Sequence, residues 1–142
     1  MESLINDVRT YFLKCPLLKS GSALNIDFLA VDGVEYSIDS VPTNPTIETY
    51  INGAKKCQFT FCFASREHYN ADSNQNLQNI TFYEKLADWI YINNLYRNIP
   101  VISDNRKSAE TLEVLSAGYF FDETMTTARY QIQCRLIYLQ EV

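Results

Sequence analysis

The chain has few glycines, and none of them are clustered. The four are Gly21, Gly33, Gly53 and Gly118. Phosphate-binding loops use neighbouring glycines so that backbone N–H groups can approach the anion, and we therefore expect no nucleotide site and no cofactor. The chain also has one histidine and no Gly-x-Ser-x-Gly turn to present a nucleophile. These absences disfavour a nucleotide-binding protein and a nucleophile-based enzyme.

The cysteines lack any Cys-x-x-Cys pair. They are Cys15, Cys57, Cys62 and Cys134. Cys57 and Cys62 are five residues apart in a strand-like run, which places their side chains on opposite faces and about 16 Å apart. We therefore expect no metal site and no disulfide between them. Small buried thiols in a reducing compartment are the simplest interpretation of all four.

Basic residues are also scarce. The 142 residues include 12 Lys and Arg against 17 Asp and Glu, for a formal net charge of −5, so the basic excess that nucleic-acid binding needs is absent. No apolar run reaches the roughly 18 residues of a membrane span, and the first residues include acids where a signal peptide has basic ones. We expect one cytoplasmic domain, residues 1–142, with no specific nucleic-acid partner and no membrane partner.

Aromatic residues are abundant, with ten Tyr and eight Phe, and they favour a sheet and large contact surfaces. Apolar residues at helical spacing predict a first helix over residues 4–15, ended by Pro16. Two alternating runs within residues 24–38 flank Asp32 and Gly33. An Asp-Gly pair between such runs is typical of a two-residue turn, so we predict a β-hairpin.

The most apolar run is KCQFTFCFAS, residues 56–65. Large side chains alternate here with Thr60, Cys62 and Ala64, so both faces of the strand are apolar. Such a strand is typical of the middle of a sheet. Before it, residues 46–51 predict a short strand that ends in an Asn-Gly turn.

The second half predicts a helix over residues 74–94 and two closing strands over 111–121 and 127–139. Together these elements predict an α+β fold: a mostly antiparallel sheet of about five strands with two helices packed on one face. In the last strand, apolar residues alternate with Arg129, Gln131, Gln133 and Arg135. We expect this strand to bury one face and to be an exposed edge, open to pairing with another chain.

His68 is the one candidate for acid–base chemistry, because its unperturbed pKa lies near neutrality. It lies in SREHYN beside Arg66, Glu67 and Tyr69. A loop does not bring consecutive residues together by itself, and no nucleophile is evident. We therefore interpret His68 as a loop residue at an interface, and keep a small enzyme or ligand-binding domain as an alternative.

A resemblance to a known family rests on five segments: YING, QFTFCFASREHY, NITFYEKLADWIYINN, IPVIS and ARYQIQCRLIYLQ. Together they resemble small structural proteins of phages and prophages of Gram-positive bacteria, called minor capsid proteins or tail terminators. The likeness covers most of the chain from about Tyr36 onwards. Its segments are strand and helix sequences without a catalytic signature.

The resemblance implies a non-enzymatic subunit that forms a ring, typically a hexamer, at the head-proximal end of a tail tube. It implies assembly in the bacterial cytoplasm into a virion or a phage-tail-like bacteriocin. The implied partners are other copies of the chain, the tail tube protein, and a sheath or head–tail connector protein. A head–tail stopper or adaptor is the alternative structural role.

Within such a ring, polar strand faces and loops are natural contact sites. On this hypothesis the contact residues are Arg66, Glu67, His68, Tyr69, Asn70, Asp104, Asn105, Arg106, Lys107, Arg129 and Arg135. Tyrosine and arginine are enriched at protein interfaces, which agrees with this choice.

Overall fold

The computed structural model of the chain describes residues 3–18, 23–27, 35–68, 73–123 and 127–142. In chain order its elements are α1 (Leu4–Phe12), β1 (Leu24–Ile26), β2 (Glu35–Ser40), β3 (Thr46–Thr49), β4 (Lys55–His68), α2 (Ser73–Leu95), β5 (Lys107–Glu123) and β6 (Thr127–Gln140). Within these ranges, two helices accompany one mostly antiparallel sheet of six strands. The predicted α+β class is confirmed, with one strand more than expected.

β4 is the central strand. The sheet has the order β1-β2-β4-β6-β5, and β3 pairs with the beginning of β4. β6 pairs with β4 along its whole length, from Lys55 opposite Gln140 to His68 opposite Thr127. This confirms the position predicted from the apolar run in β4.

The last strand is not an edge, and that prediction is wrong. β5 and β6 are antiparallel neighbours, and β6 returns between β5 and β4. The edge on this side of the sheet is therefore β5. Alternation of side chains gave the two faces of β6 correctly, but it carries no information about which neighbouring strand lies outermost.

The predicted hairpin in residues 24–38 is also wrong. β1 and β2 are parallel neighbours, with Leu24 opposite Tyr36 and Ile26 opposite Ile38, whereas a two-residue turn would make them antiparallel. The chain leaves β1 at Asp27, which has a φ of 51° and accepts a hydrogen bond from the backbone N–H of Ser40 at 2.9 Å. The Asp32-Gly33 pair itself lies outside the described residues.

Both helices contribute aromatic rings to a core built on β4. α1 begins after Ser3, whose hydroxyl accepts a hydrogen bond from the Asn6 N–H. The ring of Phe12, at the end of α1, has its centroid 5.2 Å from that of Phe63. From α2, the rings of Phe82 and Tyr83 each lie 6.5 Å from Phe63. The core continues along β6 through Tyr130, Ile132, Cys134 and Leu136, all of which are buried.

α2 buries only part of its apolar residues. Tyr83, Leu86 and Ile90 are buried, but Leu77 and Ile80, which recur with them at helical spacing, are 61% and 45% exposed. The difference arises because α2 has apolar residues on more than one side. Helical spacing alone would assign all of these residues to the core. A sheet, however, packs against only one side of a helix, so the apolar residues on the other sides remain exposed.

All four cysteines are free and buried, and Cys57 and Cys62 extend from opposite faces of β4. Burial raises the pKa of the Cys134 thiol, with a smaller contribution from Cys62. Desolvation likewise raises the pKa of Cys15. These thiols are packed as small apolar side chains, in agreement with the sequence interpretation.

Tyr83 makes a buried hydrogen-bond network that joins α2 to the sheet. Its hydroxyl lies 2.6 Å from Ser65 Oγ and donates to the backbone carbonyl of Tyr130 at 3.0 Å. Burial raises the pKa of Tyr83 well above its usual value, so the phenol stays protonated and can donate. This network fixes the position of α2 over β4 and β6.

We predict that Tyr83→Phe lowers the free energy of unfolding by about 1–3 kcal/mol, because Ser65 and Tyr130 each lose a buried hydrogen-bond partner. Urea unfolding followed by circular dichroism measures the change. Tyr96→Phe is the matched control, since the Tyr96 side chain is 81% exposed. Removal of its hydroxyl should change the free energy of unfolding by less than about 0.5 kcal/mol. Equal stabilities of the two variants would contradict the role assigned to Tyr83.

Candidate interaction surfaces

The sheet face opposite Phe61 and Phe63 is polar, and we call it the polar face. The register aligns on it Asp39 from β2, Cys62 from β4 and Gln133 from β6. Other described residues on this face include Glu35, Ser37, Gln58, Thr60, Ala64, Arg66, Glu113, Ser116, Arg129, Gln131, Arg135 and the apolar Ile137. Three of the eleven predicted contact residues, the arginines of β4 and β6, therefore share one face.

Arg129 and Arg135 bind acidic residues within the chain. Arg129 Nη2 lies 2.6 Å from Asp39 Oδ2, and its Nε donates to Gln131. Arg135 Nε lies 2.7 Å from Glu113 Oε2. These ion pairs connect β6 to β2 and to β5, so the two arginines stabilise the sheet. A partner that binds the polar face would therefore contact guanidinium groups that are already paired.

Arg66 differs from the other two arginines. It is 94% buried, since 6% of its surface is exposed, and its Nε and Nη1 atoms have no hydrogen-bond partner. In the register it lies between Glu35 of β2 and Arg129 of β6. Two like charges opposite each other in a sheet are unfavourable, and buried guanidinium nitrogens without acceptors are costly. Arg66 therefore has hydrogen-bonding capacity that the described residues do not fill.

The expected interface loop begins later in the chain than predicted. Arg66, Glu67 and His68 belong to β4, and the side chains of Arg66 and Glu67 are buried. The alternation of a strand also directs these two side chains to opposite faces. The side chain of His68, together with Tyr69 and Asn70, lies outside the described residues.

The remaining predicted contact residues lie in the turn before β5 and, for Lys107, at the first residue of that strand. Asp104 accepts from Arg106 N–H at 2.9 Å, and the Lys107 ammonium lies 3.8 Å from Asp104 and 5.8 Å from the Tyr138 ring centroid. Asn105 is exposed between them. In the register Lys107 is opposite Gln140, eleven residues from Arg129 along β6, which is on the order of 35 Å. Arg66 and Arg129 therefore lie at one end of the sheet and residues 104–107 at the other, and Arg135 lies between them.

One exposed apolar surface that the sequence interpretation missed is a β-turn. We call residues 50–54, between β3 and β4, the hairpin tip. Ile51 is fully exposed there, Tyr50 is 39% exposed, and Val142 lies beside Gly53. Turns are usually built from polar residues and glycine, so an isoleucine at this position was an available signal. Tyr50, Ile51 and Val142 lie close together, and grouped exposed apolar side chains are typical of a contact surface.

A second such surface runs along α2. Leu77, Ile80, Tyr91 and Leu95 are exposed on its outer side, with Glu84 and Asp88 between them. Where α2 passes the edge of β5, a groove of about 530 Å³ opens, which we call the α2–β5 groove. Its apolar lining residues are Ala87, Ile90, Tyr91, Leu112 and Val114, and its polar ones are Asp88, Asn94, Thr111 and Glu113. A groove of this size with a largely apolar lining and a few polar groups is typical of a binding site.

Comparison with known proteins gives no match, since no family model fits the chain and no curated protein matches it. Within the described part of the chain, neither helix is long and apolar enough to cross a lipid bilayer. The same residues contain no group of three or more His, Cys, Asp or Glu side chains placed to hold a metal ion.

We predict opposite effects on stability for two arginines of the polar face. Arg66→Met should leave the free energy of unfolding unchanged or raise it by up to about 3 kcal/mol, because methionine fills similar space without a charge to desolvate. Arg129→Met should lower the free energy of unfolding by about 2–3 kcal/mol, because Asp39 Oδ2 loses its guanidinium partner. Urea unfolding of both variants measures the difference. If Arg66→Met is as destabilising as Arg129→Met, the Arg66 guanidinium has a partner within the chain.

Proposed function

We propose that this chain is a non-enzymatic structural subunit of a phage tail or phage-tail-like particle, and that it forms the tail terminator ring. The observation that carries the proposal is the presence of exposed apolar side chains on two separate surfaces, the hairpin tip and the outer side of α2. Exposed apolar surfaces of this kind are typical of proteins that bind other proteins. The resemblance of five segments to the tail terminator family supports the specific role.

The presence of two unlike surfaces agrees with ring formation. The hairpin tip joins β3 to β4 and lies next to Ser108 of β5 and the end of β6, whereas the α2–β5 groove lies further along β5, at residues 111–114. Two unlike surfaces that bind each other form head-to-tail contacts, and such contacts close into a ring when the rotation between copies permits it. The number six comes from the resemblance alone.

Termination in this proposal is a geometric property of the ring. One face of the ring matches the last ring of the tube, and the other face offers no surface to which a further tube subunit can bind. That second face instead binds the next component, a connector or sheath protein. The net charge of −5 suits a ring around a channel for DNA, because acidic residues repel phosphate and limit adhesion.

We predict that the purified protein forms closed rings of about six subunits, and that these rings stop the elongation of tail tubes. Mass photometry and negative-stain electron microscopy measure the first property. Tube length distributions with and without the protein measure the second. His68→Ala serves as the control and should assemble as the unchanged protein does, since the proposed role uses no catalytic group.

Loss of the gene distinguishes the terminator from the stopper. Without a terminator, tails should grow to irregular lengths or fail to join heads, whereas without a stopper, finished tails should remain while packaged DNA leaks. Tails of normal length in the absence of the protein would contradict the terminator role. A monomeric protein in which His68→Ala abolishes a chemical activity would contradict the structural role altogether.

A further inference from the structure

Arg66 of β4 is a buried side chain whose hydrogen-bond donors are not used within the chain. Only 6% of its surface is exposed, and its Nε and Nη1 atoms have no hydrogen-bond partner. No ion pair among the described residues involves it. A guanidinium group has donors only, and it cannot give up its charge by losing a proton. The buried charge of Arg66 is therefore costly unless an acceptor of negative charge lies beside it.

The part of the polar face next to Arg66 is closed to bulk water. Ala64, two residues before Arg66 on β4, lies between Ser37 of β2 and Gln131 of β6 in the register. Ala64 and Ser37 are 0% exposed, and Gln131 is 7% exposed. Bulk water therefore solvates the guanidinium poorly, and the effective dielectric constant around it is low. In such surroundings an anion interacts with the guanidinium more strongly than it would at an exposed arginine.

The acidic side chains of β2 on the polar face bind groups other than Arg66. Glu35 is directly opposite Arg66 in the register, but its Oε2 accepts a hydrogen bond from Asn25 Nδ2 at 3.1 Å. Asp39, further along the same strand, lies 2.6 Å from Arg129 Nη2. Neither carboxylate forms an ion pair with Arg66. The negative charge that Arg66 requires is therefore not supplied by these two residues.

A second positive charge lies on the other side of Arg66. Arg129 of β6 is directly opposite Arg66 in the register, so both side chains extend from the polar face at the same level of the sheet. Like charges in opposite positions of two strands repel each other. An anion at Arg66 would reduce this repulsion and would also accept from the unused donors of the guanidinium group. The charges of both strands therefore favour a bound anion here.

We propose that Arg66 anchors a binding site for one small inorganic anion, such as chloride or phosphate, at this end of the polar face. The anion accepts from the guanidinium donors that the protein leaves unused, and it balances their charge. Its small size follows from the burial of Arg66, since a side chain of another protein could not reach the guanidinium group without displacing the residues around it. The site lies within one subunit and does not rest on the proposed function.

Nuclear magnetic resonance of chloride tests the site directly, because exchange of chloride with a protein site broadens the chloride line. The probe is sodium chloride, exchanged for sodium gluconate at constant ionic strength so that screening stays the same. We expect the unchanged protein to broaden the line in a saturable manner and Arg66→Met to lose this broadening. Addition of sodium phosphate then identifies the preferred ion: phosphate binds more tightly if it abolishes the broadening, and chloride binds more tightly if the broadening persists.

Urea unfolding in the same chloride series gives a second measurement. A ligand that binds the folded chain alone lowers the unfolding equilibrium constant, by about tenfold at a chloride concentration of about ten times the dissociation constant. We expect this change in the unchanged protein and not in Arg66→Met. Arg135→Met is the matched control, because Arg135 lies on the same face but already donates to Glu113 and Gln58. It should keep the full chloride response.

Three results would overturn the anion site. The first is the absence of saturable broadening by the unchanged protein with both ions, which requires no variant to fold. The second is an equal chloride response in the unchanged protein and in Arg66→Met, since the ion would then bind elsewhere. The third is chloride binding that appears in Glu35→Gln alone, because Glu35 would then be the partner of Arg66 in solution. None of these results changes the proposed function, which ring formation and tube length test separately.

Discussion

Phe63 is the residue on which the packing of the molecule depends. Its ring contacts Phe12 of α1, Tyr36 of β2 and both Phe82 and Tyr83 of α2. One side chain of the central strand thus contacts both helices and a neighbouring strand. Because alternate residues of β4 extend to opposite faces, the same strand that holds this aromatic core must direct Cys62 and Ala64 to the polar face. The separation of core and polar face follows from this constraint.

The sequence predicted the features that depend on local pattern. The continuous apolar run of β4 indicated its central place, and the alternation in β6 indicated which residues face the core. Features that depend on tertiary pairing were not predictable in the same way. Parallel pairing of β1 with β2 and the outermost place of β5 arise from how the chain returns to the sheet, and neither leaves a periodic signal.

The polar face also has features that the sequence predicted and features that it did not. The sequence placed Arg129 and Arg135 on the face opposite the core, and the structure agrees. It did not indicate that Asp39 and Glu113 would neutralise them, because those residues come from strands about 90 and 22 positions away in the chain. Arginine enrichment at interfaces was therefore a weak guide, since an arginine that braces its own sheet has the same sequence signature as one that binds a partner.

Asn94 explains why the groove exists and why its occupant would be a side chain. A long edge strand such as β5 is a hazard, because its free backbone groups can pair with any other strand. Asn94 binds the Leu112 backbone as a paired strand would, and so holds α2 beside the edge with space between them. The hydrogen bonds of Asn94 that prevent unspecific strand pairing thereby also leave an apolar groove between α2 and β5. A fold that blocks this part of its edge therefore presents a partner with apolar side chains and not with free backbone groups.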